Sequence, residues 1–101
     1  MSKVSLLAKL PIKEGSKDAF LAAFADMATA VEAEAGTEIY ILNWANDDDH
    51  MAYIFELYTD ADAMAVHSGS DAMKALMGAL GDILGGAPEL IMLTPDSGKG
   101  L

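Results

Sequence analysis

No cysteine and no arginine occur in the 101-residue chain. The first absence removes disulfides, thiolate catalysis, zinc knuckles and iron–sulfur clusters. The second leaves six lysines to face sixteen acids, for a formal net charge of −10. A surface that negative repels phosphate backbones and anionic lipid heads, so neither nucleic acid nor a membrane is an expected partner. No apolar run approaches the roughly 20 residues of a membrane span. The opening Met1-Ser2-Lys3-Val4 is strand-like and lacks the apolar stretch and cleavage site of a signal peptide, so the cytoplasm is the expected address. Phosphate-cradling loops are missing too, since no G-x-x-x-x-G-K-[ST] and no G-x-G-x-x-G after a strand is present. Gly78, Gly81, Gly85 and Gly86 interrupt or end a helix instead. No flavin, nicotinamide or other cofactor is expected. What the chain does have is apolar residues, at 52%, enough for the packed core of one domain.

The patterning predicts a strand–helix–hairpin–two-helix–strand order. Val4, Leu6, Ala8 and Leu10 alternate as a first strand, limited by Pro11. Gly15-Ser16 breaks the chain, with Ser16 as the expected N-cap of a long helix whose apolar face is Phe20, Phe24, Met27 and Val31. Gly36 is the expected stop. Thr37–Ala45 and Met51–Tyr58 read as two strands joined by the polar turn Asn46-Asp47-Asp48-Asp49-His50, hence an antiparallel hairpin. Thr59-Asp60-Ala61-Asp62 resembles a capping box, with aspartate at its last position, for a short helix running to about His67, with Gly69 as its stop. Ser70-Asp71 opens another helix, with Met73, Leu76, Met77 and Leu80 on its apolar side, and Glu89–Thr94 is the last strand. With right-handed crossovers this is an α+β, ferredoxin-like βαββαβ antiparallel sheet carrying its helices on one face.

The strands are apolar on both faces. Ile39 and Ile41 oppose Tyr40, Leu42 and Trp44, while Met51, Tyr53, Phe55 and Leu57 oppose Ala52, Ile54 and Tyr58. A sheet facing water on one side should alternate apolar with polar, and a large bare apolar face on a monomer is rare. The second face is therefore expected to meet the sheet of an identical chain in a two-fold dimer. A monomer with a hydrophobic ligand groove is the competing reading.

Few residues carry chemistry. Asp47-Asp48-Asp49-His50 lies in a turn, and four consecutive residues cannot all converge on one ion, so no metal site is expected. His50 belongs to that loop. His67 sits near a helix end, where a partly buried imidazole can act as a general base or acid. Asn43 could hydrogen-bond a ligand oxygen, and Trp44, Tyr53 and Tyr58 could line an aromatic pocket. Glu56 is a carboxylate inside an apolar strand and must pair or be neutralised, with Lys9 on the first strand as a possible partner.

Phe55-Glu56-Leu57-Tyr58-Thr59-Asp60-Ala61-Asp62-Ala63-Met64-Ala65-Val66-His67 resembles the antibiotic biosynthesis monooxygenase family, which includes quinol monooxygenases. The pattern is a glutamate, an aromatic two positions later, an acidic helix start, alanine and then histidine. Glu34-Ala35-Gly36-Thr37-Glu38-Ile39-Tyr40 is similar to the family's acidic-x-Gly turn into the second strand, and the resemblance runs from Val4 to Leu93. Pro95–Leu101 reads as a polar tail, so the domain is expected over residues 1–94. The resemblance implies a homodimer of dimeric α/β barrel type, with a small apolar cavity between sheet and helices. Members of known activity oxygenate quinols and anthrones with molecular oxygen and no flavin, haem or metal. On this resemblance His67 is the base or anion stabiliser, Asn43 bonds a substrate oxygen, Trp44 and Tyr53 orient the ring, and Glu56 sets the charge of its neighbours. The related haem-degrading branch needs an asparagine on the first strand and a tryptophan late in the third. This chain has neither, and Met77 stands at about the position of the ligand histidine. A non-catalytic barrel that binds a hydrophobic metabolite is the second functional reading.

Overall fold

The computed structural model describes residues 2–101. Its elements run β1 (Val4–Pro11), α1 (Lys17–Val31), β2 (Thr37–Ala45), β3 (Asp48–Tyr58), α2 (Ala61–Ser68), α3 (Asp71–Leu80) and β4 (Glu89–Leu93). The sheet order is β2-β3-β1-β4 with every neighbouring pair antiparallel, the ferredoxin-like arrangement. Register places Leu6 opposite Glu56 and Ala8 opposite Ile54, while Tyr40 faces Glu56 from the other side. Because side chains alternate along a strand, one sheet face carries Leu6, Ala8, Leu10, Tyr40, Leu42, Trp44, Ala52, Ile54, Glu56 and Tyr58. The helices cover that face. Ala8, Leu10, Ile12, Ala52 and Ile54 form the core with Phe20, Met27 and Val31 of α1 and Leu76 and Leu80 of α3.

Local structure departs from the expected boundaries in physically legible ways. Gly15, at φ +84°, closes the turn before α1 in a conformation that favours glycine. Ser16 occupies the N-cap position without a side-chain cap bond. Helix α1 stops at Val31 rather than near Gly36, because Ala33 and Glu34 donate to the carbonyls of Ala30 and Val31 and tighten the end. Asp60, not Thr59, caps α2, its Oδ1 accepting from the Ala63 amide at 2.8 Å. Ser70 caps α3 as expected, through the Met73 amide at 3.1 Å. The hairpin loop is shorter than the polar run suggests. Ala45 already pairs with Asp48, because ladder hydrogen bonds use the backbone and tolerate exposed acids at a sheet end.

The other sheet face carries Ser5, Leu7, Lys9, Ile39, Ile41, Asn43, Met51, Tyr53, Phe55, Leu57, Ile91 and Leu93, and among the described residues no helix covers it. Ile41 is 52% and Leu93 43% exposed. The segment 95–101 lies against part of this face, bordering a shallow pocket with Ser5, Ile39, Phe55 and Leu57. Among the described residues, no helix is long and apolar enough to cross a membrane.

Candidate active site

Between the sheet and α3 lies a cavity of about 280 Å³, roofed by Met73, Leu76, Met77 and Leu80 and floored by Leu6, Ala8, Leu10 and Ile54. Leu90 borders it from β4, and Tyr40, Glu56, His67 and Ser68 are its polar lining residues. A cavity of roughly 150 Å³ lined by aliphatic groups holds a benzene, so this one is sized for a small aromatic molecule.

Three elements converge at the polar end. Helix α2 presents Ala63 and His67 four residues apart, hence on one face. Ala63 seats against Gly36, where a Cβ would stand 2.4 Å from the Ala63 Cβ, so only glycine admits the helix this closely. The Thr59 amide donates to the Gly36 carbonyl at 2.9 Å and fixes the same junction. His67, in the last turn, is 1% exposed. Its Nδ1 lies 2.8 Å from Glu34 Oε1, in the turn after α1. Thr37 Oγ1 donates to that same oxygen at 2.7 Å. A carboxylate only accepts, so the shared hydrogen is assigned to Nδ1. In the neutral ring Nε2 then carries the lone pair, and among the described residues this buried nitrogen has no hydrogen-bond partner.

Glu56 lies on the other side of that nitrogen, its Oε1 3.8 Å from Nε2, beyond hydrogen-bonding distance. The Tyr58 hydroxyl donates to Glu56 in a short bond. Burial pushes the Glu56 carboxyl above the usual carboxylate range, and the nearby Glu34 adds to the rise, while the Tyr58 bond and His67 oppose it. Burial, followed by the charges of Glu56 and Glu34, also raises the Tyr40 phenol. Tyr58 is raised by burial and by its bond to Glu56. Both phenols therefore stay protonated at neutral pH. The His67 ring is held between Tyr40 and Tyr58, at centroid distances of 5.2 and 5.4 Å.

Of the residues singled out in the sequence, His67 and Glu56 meet in this cavity. Trp44 shares the covered face but stands at its far end, edge-on to Phe20 at 5.8 Å with Lys17 Nζ 4.2 Å above its ring. Phe20 and Phe24 link it to Tyr40, the latter stacked on Tyr40 at 5.3 Å. Asn43 and Tyr53 are cross-strand partners on the opposite sheet face, where Asn43 Nδ2 donates to the carbonyls of Ile41 and Tyr53, each at 3.2 Å. Neither borders the cavity. Lys9, the partner considered for Glu56, stands on that opposite face over the Tyr53 ring, so Glu56 is satisfied by Tyr58 instead. The site also contains Glu34, Thr37 and Tyr40, which sequence spacing did not single out. Their only signal was the acidic-x-Gly turn itself. Asp48, Asp49 and His50 cluster in the exposed hairpin end, where His50 contacts Asp49 at 2.8 Å.

In this small α+β domain a buried glutamate–histidine pair opens on an apolar chamber. The antibiotic biosynthesis monooxygenase family matches residues 3–79, and the chain belongs to that family. Among solved structures, a Caulobacter crescentus protein provisionally assigned as an antibiotic biosynthesis monooxygenase is 28% identical, with a TM-score of 0.91 over 95% of this chain and 92% of its own. A Mycobacterium tuberculosis protein shares the fold at 24% identity and a TM-score of 0.90, covering 98% of this chain and all of the other. A second provisionally assigned monooxygenase, from Nitrosomonas europaea, shares it at 14% identity and 0.88, over 93% and 90% of the two chains. No curated protein matches the chain at a significant level.

Proposed function

We propose that this chain is a cofactor-independent monooxygenase that oxidises a small electron-rich aromatic, such as a quinol or an anthrone, with molecular oxygen. One observation carries the proposal. His67 Nε2 is buried and, among the described residues, unpartnered, with Nδ1 engaged by Glu34, at the polar end of an apolar cavity of matching size. Such a substrate brings its own reducing power, so the protein need only bind, orient and deprotonate it. Nε2 takes the acidic proton and becomes an imidazolium, which Glu34 stabilises through Nδ1 and whose charge Glu56 balances from 3.8 Å. The carbanionic or phenolate form passes one electron to oxygen. Recombination of the two radicals forms the carbon–oxygen bond of a peroxide anion, which takes the proton back from the His67 imidazolium to become a hydroperoxide. Loss of water then leaves the carbonyl of the quinone, with one oxygen atom in the product and one in water.

Oxygen uptake with a panel of reduced quinols and anthrones, corrected for autoxidation, tests the reading. His67→Ala is expected to lower turnover about 100-fold or more, the range of a lost general base. Unchanged turnover on a genuine substrate removes His67 from the chemistry. Tight binding with no enzyme-dependent uptake points instead to a metabolite-binding module. The apolar outer sheet face supports a homodimer, two copies meeting sheet to sheet, and leaves each cavity on the far side of its own sheet.

A further inference from the structure

The distribution of cations around the cavity defines which aromatics it accepts. The polar end brings two carboxyl groups, Glu34 and Glu56, to a single imidazole, at 2.8 and 3.8 Å from its two nitrogens. The chain has no arginine, and none of its six lysines borders the cavity. Lys3 is paired with Glu38, Lys9 stands over Tyr53 on the far sheet face, and Lys17 lies over Trp44. Lys13, Lys74 and Lys99 are exposed. The nearby phenols of Tyr40 and Tyr58 are neutral donors, and Tyr58 is already spent on Glu56. An anionic group entering here would lose its water and find, among the described residues, no cation that is not already balanced by a carboxyl. An unpaired charge in such a place is costly.

We propose that the cavity takes uncharged hydroxyaromatics and excludes those bearing a carboxylate, sulfate or phosphate, with Glu34 and Glu56 as the residues that set this selectivity. The inference rests on the aromatic-binding reading above. It adds that the physiological substrate carries no permanent negative group, and that the anion formed during the reaction exists only after its proton has reached His67.

Binding measured by calorimetry on the intact protein separates the two readings. The probes are 2-naphthol, 6-hydroxy-2-naphthoate and the methyl ester of that acid. None is a quinol, so no turnover intrudes. The expected result is binding of naphthol and ester within a few-fold of each other, with the carboxylate at least tenfold weaker. The ester matches the acid in shape, so that pattern assigns the difference to charge. Carboxylate binding as tight as the ester overturns charge selectivity and leaves the aromatic cavity standing. Failure of all three to bind overturns both readings. In Glu56→Gln, which keeps an oxygen for Tyr58, the gap between ester and acid is expected to shrink. An unchanged gap in a folded variant removes Glu56 from the selectivity.

Discussion

Glu56 shows at the scale of a single side chain how the site stores charge. Its carboxyl holds a proton more tightly in the folded chain than in the unfolded one, where the reference value is 4.5. The sign follows from linkage. The stabilising contribution of the protonated group is complete below the unfolded value and is lost as pH rises through the folded one. Glu56→Gln is neutral at every pH. Its melting temperature relative to the wild type is therefore expected to climb as pH is raised from about 4 towards 8. Thermal denaturation across that range checks it, and a flat difference means the carboxyl ionises without penalty. The same residue shows what the sequence could reveal. A carboxylate among Phe55, Leu57 and Tyr58 was conspicuous, as was a histidine one short helix later. Strand parity separated Asn43 from Trp44, and Tyr53 from Glu56. It could not say which set faced the helices, because both sets are apolar. Glu34 was harder still. It lies 33 residues before His67, and only the folded chain brings its oxygen to the imidazole.

Among the elements, α2 is the one on which the site depends. It is short, and its position relies on the Asp60 cap, the Thr59–Gly36 backbone bond and the contact of Ala63 with Gly36. Gly36→Ala would place a methyl 2.4 Å from the Ala63 Cβ, without backbone strain, since Gly36 does not have a positive φ. The helix must then retreat. A cost of about 1–3 kcal/mol in stability is expected from overpacking. Turnover should fall along with it, because His67 rides on the same helix and leaves Glu34. Chemical denaturation and oxygen uptake on one preparation check both. Full activity in the destabilised variant shows that the histidine needs no fixed distance to its partner. Element order, strand pairing and helix faces were legible because alternation and helical spacing of apolar residues report burial directly. Element ends were less so. The cap moved by one residue and the hairpin tightened, since both depend on backbone hydrogen bonds that polar side chains can join or ignore.

At the level of the whole molecule, the sheet face that no described helix covers is the surface proposed for pairing. Ile41 and Leu93 are more exposed than their chemistry favours, and Phe55, Leu7 and Ile91 continue the same surface. A two-fold pair would remove it from water. Sedimentation velocity at micromolar concentration is expected to show a dimer. Ile41→Lys, a substitution at an already exposed position, is expected to yield a folded single copy. A wild-type chain that sediments as a monomer rules out the pairing, and a dimer untouched by Ile41→Lys moves it to another surface.

Residues 95–101 border the same face as Ser5 and Leu57. In the proposed dimer, a purification handle or fluorescent fusion joined after Leu101 would therefore emerge at the seam between two copies. Quaternary measurements made on such a product would report the handle as much as the protein, so labels belong at the opposite terminus.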